Sequence, residues 1–168
     1  MIPGALDPTG RKDDNLVPKR RYVLMNEFAG SFSGHARVLT VLSLTDVPGH
    51  ELQTVEIVGP QSSTDQKWNT ARVTYWGVSD TVAGNGSQRG HFLNEHPDGS
   101  RNWGTFDGKV TTGDNKTTVE GMWQFSDGTG LFAGIKGQGT YTTRLVSPTD
   151  VQCTWEGRYE LAASTKAA

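Results

Sequence analysis

Cysteine is nearly missing from this chain: Cys153 is the single one among 168 residues. One thiol cannot close an internal disulfide, and it excludes any CxxC zinc or redox pair, so a reducing compartment is compatible. Long apolar runs are missing too. No stretch approaches the roughly 20 residues a spanning helix needs. The opening segment MIPGALDPTGRKDD carries no apolar secretory core, so a cytoplasmic location and no membrane partner are expected. An excess of one charge is also missing, since 16 basic and 18 acidic residues give a net charge of −2 with the signs interspersed. A nucleic-acid footprint is thereby disfavoured. The chain lacks the i, i+3, i+4, i+7 apolar pattern over three turns, and with it any long amphipathic helix. No HxH pair, GxSxG elbow, P-loop or dinucleotide fingerprint occurs, which removes cupin-type metal sites, serine-hydrolase chemistry and nucleotide cradles.

What is present is glycine (21 residues), proline (7) and tryptophan (5). The proline, glycine and charge content of residues 1–20 predicts a flexible arm, followed by a single barrel domain over 21–163 and a tail over 164–168. Short alternating runs fill the domain. Cys153, Trp155, Gly157, Tyr159 and Leu161 alternate with polar residues, as do Val119, Gly121, Trp123 and Phe125. Ala71, Val73 and Tyr75 alternate with Arg72, Thr74 and Trp76, a strand with substance on both faces. Further strands are expected near 21–32, 35–44, 51–58, 88–96, 101–110 and 131–145. Pro48-Gly49, Gly59-Pro60, Asn85-Gly86, Asp98-Gly99, Asp107-Gly108 and Asp127-Gly128 read as the turns between them. Asn85-Gly86-Ser87 and Asn115-Lys116-Thr117 fit a glycosylation pattern and, with no leader segment, also read as turns. Such spacing predicts an all-β, antiparallel protein of about eight strands, either a sandwich or a closed barrel. Gly121, Gly134, Gly137 and Gly139 favour the barrel, because a small barrel coils where a Cβ would collide.

The segment Asp127-Gly128-Thr129-Gly130-Leu131-Phe132-Ala133-Gly134-Ile135-Lys136-Gly137-Gln138-Gly139-Thr140-Tyr141 resembles the glycine-rich hairpin of the allene oxide cyclase-like barrels, the dirigent proteins and the small DUF3224-type barrels. Glu120-Gly121-Met122-Trp123-Gln124-Phe125, just before it, is similar to the strand that leads into that hairpin. The resemblance covers about 90–145. It implies an eight-stranded antiparallel barrel, often part of a homo-oligomer, holding a small apolar or aromatic molecule. No catalytic residue of those families is matched here. Gly121-Met122-Trp123 also fits the lipocalin GxW, which belongs on a first strand.

The residues themselves offer two candidate sites. His91, Glu95 and Arg89 share one side of a presumed strand, with His91 as acid or base and Arg89 as a carboxylate clamp. His91 and Glu95 lie roughly 13 Å apart along that strand, too far to share a metal ion unless a bulge intervenes, and a polar outer face is the favoured explanation of all three. The aromatic set is the second candidate: Trp123, Trp155 and Tyr159, with Tyr75 next, are expected to face the interior and bind a flat or unsaturated ligand. His96 reads as a turn residue, His35 as loop or strand start, and Cys153 as a packed thiol. Glu27, Arg37, Glu56 and Arg72 lie in strand-like runs, where an inward charge would need a partner. The resulting expectation is a cofactor-independent, metal-free barrel binding a small hydrophobic or aromatic molecule, with isomerisation or cyclisation as its chemistry if it catalyses any. The competing reading is a non-catalytic carrier or interaction barrel with a filled core.

Overall fold

The computed structural model describes residues 25–162, so the arm and tail expected at the two ends lie outside the described residues. Eight antiparallel strands run in sequence order around a closed barrel. They are β1 (Asn26–Ser43), β2 (His50–Ser63), β3 (Arg72–Val82), β4 (Asn85–Glu95), β5 (Arg101–Gly113), β6 (Lys116–Thr129), β7 (Lys136–Leu145) and β8 (Asp150–Glu160), with β8 pairing back onto β1. A 3-10 turn, Gly130–Phe132, links β6 to β7. Among the described residues no helix is long and apolar enough to cross a membrane.

Period-two patterning decides which side chains go inside. Trp123 and Val119 on β6, and Tyr159 and Val151 on β8, are buried while their polar neighbours face out. The interior is aromatic, with Phe28, Trp68, Phe106, Trp123, Phe132 and Tyr159 in one cluster. Large rings fit because glycines face them. The indole of Trp123 lies where side chains on both Gly139 and Gly157 would stand, and that of Trp155 where one on Gly30 would. Barrel coiling in this sequence is therefore built from ring-against-glycine pairs across neighbouring strands.

Several local expectations are corrected. The runs 21–32 and 35–44 form one strand in their described part, continuous through a bulge between Ala36 and Val38. The turn expected at Asn85-Gly86 sits two residues earlier, at Ala83-Gly84, where both φ angles are positive (49° and 75°) as a two-residue hairpin of this twist requires. Asn85 instead braces that turn, donating to the Ala83 carbonyl at 3.0 Å and accepting the Thr112 N–H at 3.0 Å. Asp114-Asn115 makes the other two-residue turn, with φ of 51° and 59°. Gly59-Pro60 and Asp107-Gly108 are strand interior, and Asp127-Gly128 lies at the end of β6. Pro60 is tolerated because the β1–β2 ladder is interrupted there, between Phe32↔Gln61 and His35↔Val58. β7 begins at Lys136, not 131, since Gly134 (φ 69°) and the 3-10 turn hold the preceding chain out of the sheet.

Candidate functional site

The inner faces of the strands enclose a cavity of about 100 Å³. Its wall is mostly aromatic: Phe28 and Phe32 from β1, Tyr75 from β3, Phe92 from β4, Phe106 from β5, Trp123 and Phe125 from β6, Tyr141 from β7 and Trp155 from β8. Gln61, Gln88, Asn94, Thr143 and Cys153 add polar atoms, and no lining residue is charged.

One end of the barrel is plugged. It is the end carrying the 64–71, 96–100 and 130–135 connections, where Trp68, Phe132, Ile135 and Tyr159 are fully buried. Trp68 stacks on Phe125 at 5.3 Å and meets Phe132 at 4.7 Å and Tyr159 at 5.2 Å. Its backbone carbonyl accepts the Gln61 side-chain N–H at 3.0 Å, which ties the plug to β2. The Tyr159 hydroxyl donates to Asp65 at 2.6 Å. Burial, then that bond, pushes this phenol up to about 12.

Of the aromatic residues singled out from sequence, Trp123, Trp155 and Tyr75 converge on the cavity. Tyr159 faces inward but belongs to the plug. His91, Glu95 and Arg89 are not brought to the cavity. Gln88, Phe92 and Asn94 take the inner face of β4, so strict alternation turns the other three outward. There His91 lies across from Trp76 and Thr105, Arg89 across from Val78 and Asp107, and Glu95 pairs with Arg101 at 3.1 Å. Outside too are Glu27 and Arg72, both exposed, and the Arg37–Glu56 pair at 3.0 Å. His35 joins Asp150 at 2.7 Å on the surface. His96 does follow β4 in a turn, yet its side chain is buried.

The contributions of Gln88, Gln61 and Trp68 are absent from the sequence reading. For Gln88 a signal existed, since it stands four residues before Phe92 and hence on the same face. Trp68 sits in a loop, where no periodicity marks it as core.

The titratable groups facing the cavity are Tyr75, Tyr141 and Cys153. Burial raises both phenols above their ordinary value and pushes the thiol up to about 11. All three are protonated at neutral pH, so the wall offers hydrogen-bond donors and no ionised base. The Tyr141 hydroxyl is buried without a hydrogen-bond partner among the described residues. Neither the Tyr75 hydroxyl nor the Gln88 amide bonds another described side chain or backbone group. Among the described residues no group of three His, Cys, Asp or Glu is placed to hold a metal ion.

Under the cavity runs a buried polar chain. Asn94 donates to Asn102 at 2.8 Å, and Asn102 donates to His96 Nε2 at 2.7 Å. His96 stacks on Phe132 at 4.2 Å, and burial lowers its pKa. At the opposite end, His50 lies between Asp80 (2.8 Å) and Asp46 (2.7 Å), and these bonds, Asp80 first, raise its pKa. Ring-proton NMR titration is expected to place His96 below and His50 above the ordinary histidine value of about 6.5. The linked stability terms have opposite signs. The neutral His96 term is fully present above about 6.5 and is lost as pH falls through its lowered folded pKa, whereas the His50 term is present below about 6.5 and is lost as pH rises through its raised one. Superimposable titrations of the two rings would contradict this arrangement.

Fold and cavity together define a closed antiparallel β-barrel with an uncharged aromatic interior and one plugged end. Solved structures of similar architecture include the pterocarpan synthase dirigent protein GePTS1, with a TM-score of 0.53 and 9% identity over 95% of this chain and 98% of that one. The pterocarpan synthase dirigent protein PsPTS1 also has a TM-score of 0.53 and 9% identity, over 84% of this chain and 97% of that one. At such identity the likeness is one of fold. No protein-family model matches the sequence, and neither does any curated protein.

Proposed function

We propose that the barrel binds one small, uncharged, aromatic or unsaturated molecule in its interior. The observation that carries this reading is the cavity wall: rings on nearly every strand, no charge, and the Tyr75 hydroxyl and Gln88 amide without hydrogen-bond partners among the described residues. A carboxylate or ammonium would lose its hydration there with nothing ionic to replace it. An engineered apolar cavity of about 150 Å³ holds benzene. About 100 Å³ here therefore admits a single ring after small side-chain movements, and larger molecules only if wall residues swing aside. The similarity to dirigent proteins and the sequence resemblance to allene oxide cyclase-like and DUF3224-type barrels support the same class of occupant. For chemistry, the wall supplies shape and hydrogen-bond donors, which suits isomerisation or cyclisation of a ligand held in one conformer. Its lack of an ionised acid or base favours the carrier role where the bound molecule is not itself reactive.

Benzene, phenol and benzoate separate these terms. Phenol at about a hundredfold over its dissociation constant is expected to add roughly 2.7 kcal/mol, a rise of about 5–10 °C in Tm. At the same concentration benzene stabilises less and benzoate not at all. Gln88→Leu is expected to weaken phenol by up to about tenfold, one hydrogen bond's worth, and to leave benzene unchanged. No shift with phenol or benzene, or equal stabilisation by benzoate, would overturn the proposal.

A further inference from the structure

β1 outruns one of its two neighbours. Its ladder with β8 ends at His35↔Asp150, followed by one bond from the Ala36 N–H to the Thr149 carbonyl at 2.7 Å. Its ladder with β2 continues to Ser43↔Glu51. Positions 38–43 thus pair with β2 on one edge, Arg37 is the bulge residue before them, and the other edge of 37–43 is unpaired among the described residues. At Leu44 the N–H bonds the His50 carbonyl and the strand gives way to the β1–β2 loop.

Open edges in stable proteins are usually blunted by lysine, proline, inward charge or a covering segment. This one has no lysine, proline or acidic residue, and its Arg37 is already paired with Glu56. Three of its apolar side chains are exposed among the described residues: Leu39 is 41% exposed, Val41 47% and Leu42 58%. Such an edge is a template for another strand.

The sequence of the edge selects the partner. Val38-Leu39-Thr40-Val41-Leu42 has the same polar and apolar pattern read in either direction about Thr40. In an antiparallel pair centred there, position 37 meets 43, 38 meets 42 and 39 meets 41. Leu39 then opposes Val41 of the partner subunit and Val41 opposes Leu39 of the partner subunit, making a four-residue apolar cluster on one face. Arg37 faces Ser43 of the partner subunit, so no like charges meet. The whole open run is used and pairing ends where each chain turns away. Centring the pair at Leu39 sets Arg37 against Val41 of the partner subunit, and centring it at Val41 leaves positions 37 and 38 unpaired. We propose that residues 37–43 form a two-fold interface in which β1 pairs antiparallel with β1 of a second copy of this chain, about an axis at Thr40.

The test is the mass of the full chain by sedimentation and light scattering from about 1 to 100 µM, the range in which a micromolar interface fills. The mass is expected to rise from 18.2 kDa toward twice that. Val41→Lys and Leu39→Glu, at exposed positions that leave the barrel folded by circular dichroism, are each expected to weaken association at least tenfold. The Leu44 N–H bonds β2, so by alternation the N–H groups of Leu39, Val41 and Ser43 face the open edge, and hydrogen exchange at these three amides is expected to slow with concentration in the wild type. The proposal fails if the protein stays monomeric over the range or forms an assembly other than a dimer. It fails equally if the dimer ignores both substitutions, or if those amides are protected to the same degree at every concentration, as they would be under a segment of the same chain.

Discussion

Trp68→Ala is expected to cost about 3–5 kcal/mol of stability, the range for truncating a buried tryptophan. Trp68 is 1% exposed, and its ring contacts Phe28, Phe125, Phe132, His96 and Tyr159 within 5.4 Å. Those partners come from β1, β6, β8, the 3-10 turn and the β4–β5 loop, so the vacated volume cannot be closed by moving any one element. At about 2–4 °C per kcal/mol for a chain of this size, Tm falls by roughly 6–20 °C. Trp103→Ala removes the same side chain from a position 36% exposed on the outer face and is expected to cost under about 1 kcal/mol. Urea titrations of the two variants check this. A Trp68 loss no larger than that at Trp103 would mean the loop does not seal the barrel.

The same residue marks the limit of what the sequence discloses. Alternation on β6 and β8 makes Trp123, Trp155 and the closed all-β architecture legible, because period two and a buried face imply each other. Trp68 belongs to a loop, and burial of a loop ring depends on which strands its ends happen to join. On β4, Phe92 and His91 both suggest an inner face, and only one can have it. The ring wins because the cavity is apolar, while His91 can stay hydrated outside. Turn position fails for a related reason. Asn85-Gly86 has the composition of a two-residue turn, yet the register Val82↔Asn85 sets Ala83-Gly84 at the reversal and gives Asn85 the task of bracing it. Composition names the kind of turn, and pairing chooses the residue.

Glycine is where composition says least and where the second large effect is expected. Gly139→Ala should destabilise by about 3 kcal/mol or more, at or above the upper end for forcing added volume into a packed interior. A methyl at 139 meets both the Trp123 indole and the Glu156 carbonyl on β8. A side chain can rotate away, but the carbonyl belongs to the ladder Gly139↔Gly157 and can move only with its strand. For that reason Trp123→Leu should not rescue Gly139→Ala. Gly113 gives the opposite result. It ends β5 beside the Asp114-Asn115 turn, a Cβ there meets nothing within 4 Å, and its backbone is not left-handed. Gly113→Ala should be neutral or stabilising by about 0.4–1 kcal/mol through the unfolded chain. The two glycines are chemically the same substitution, so urea midpoints that differ in this direction measure the ring-against-strand packing itself. Equal midpoints would mean that the barrel does not owe its curvature to the glycines facing its rings.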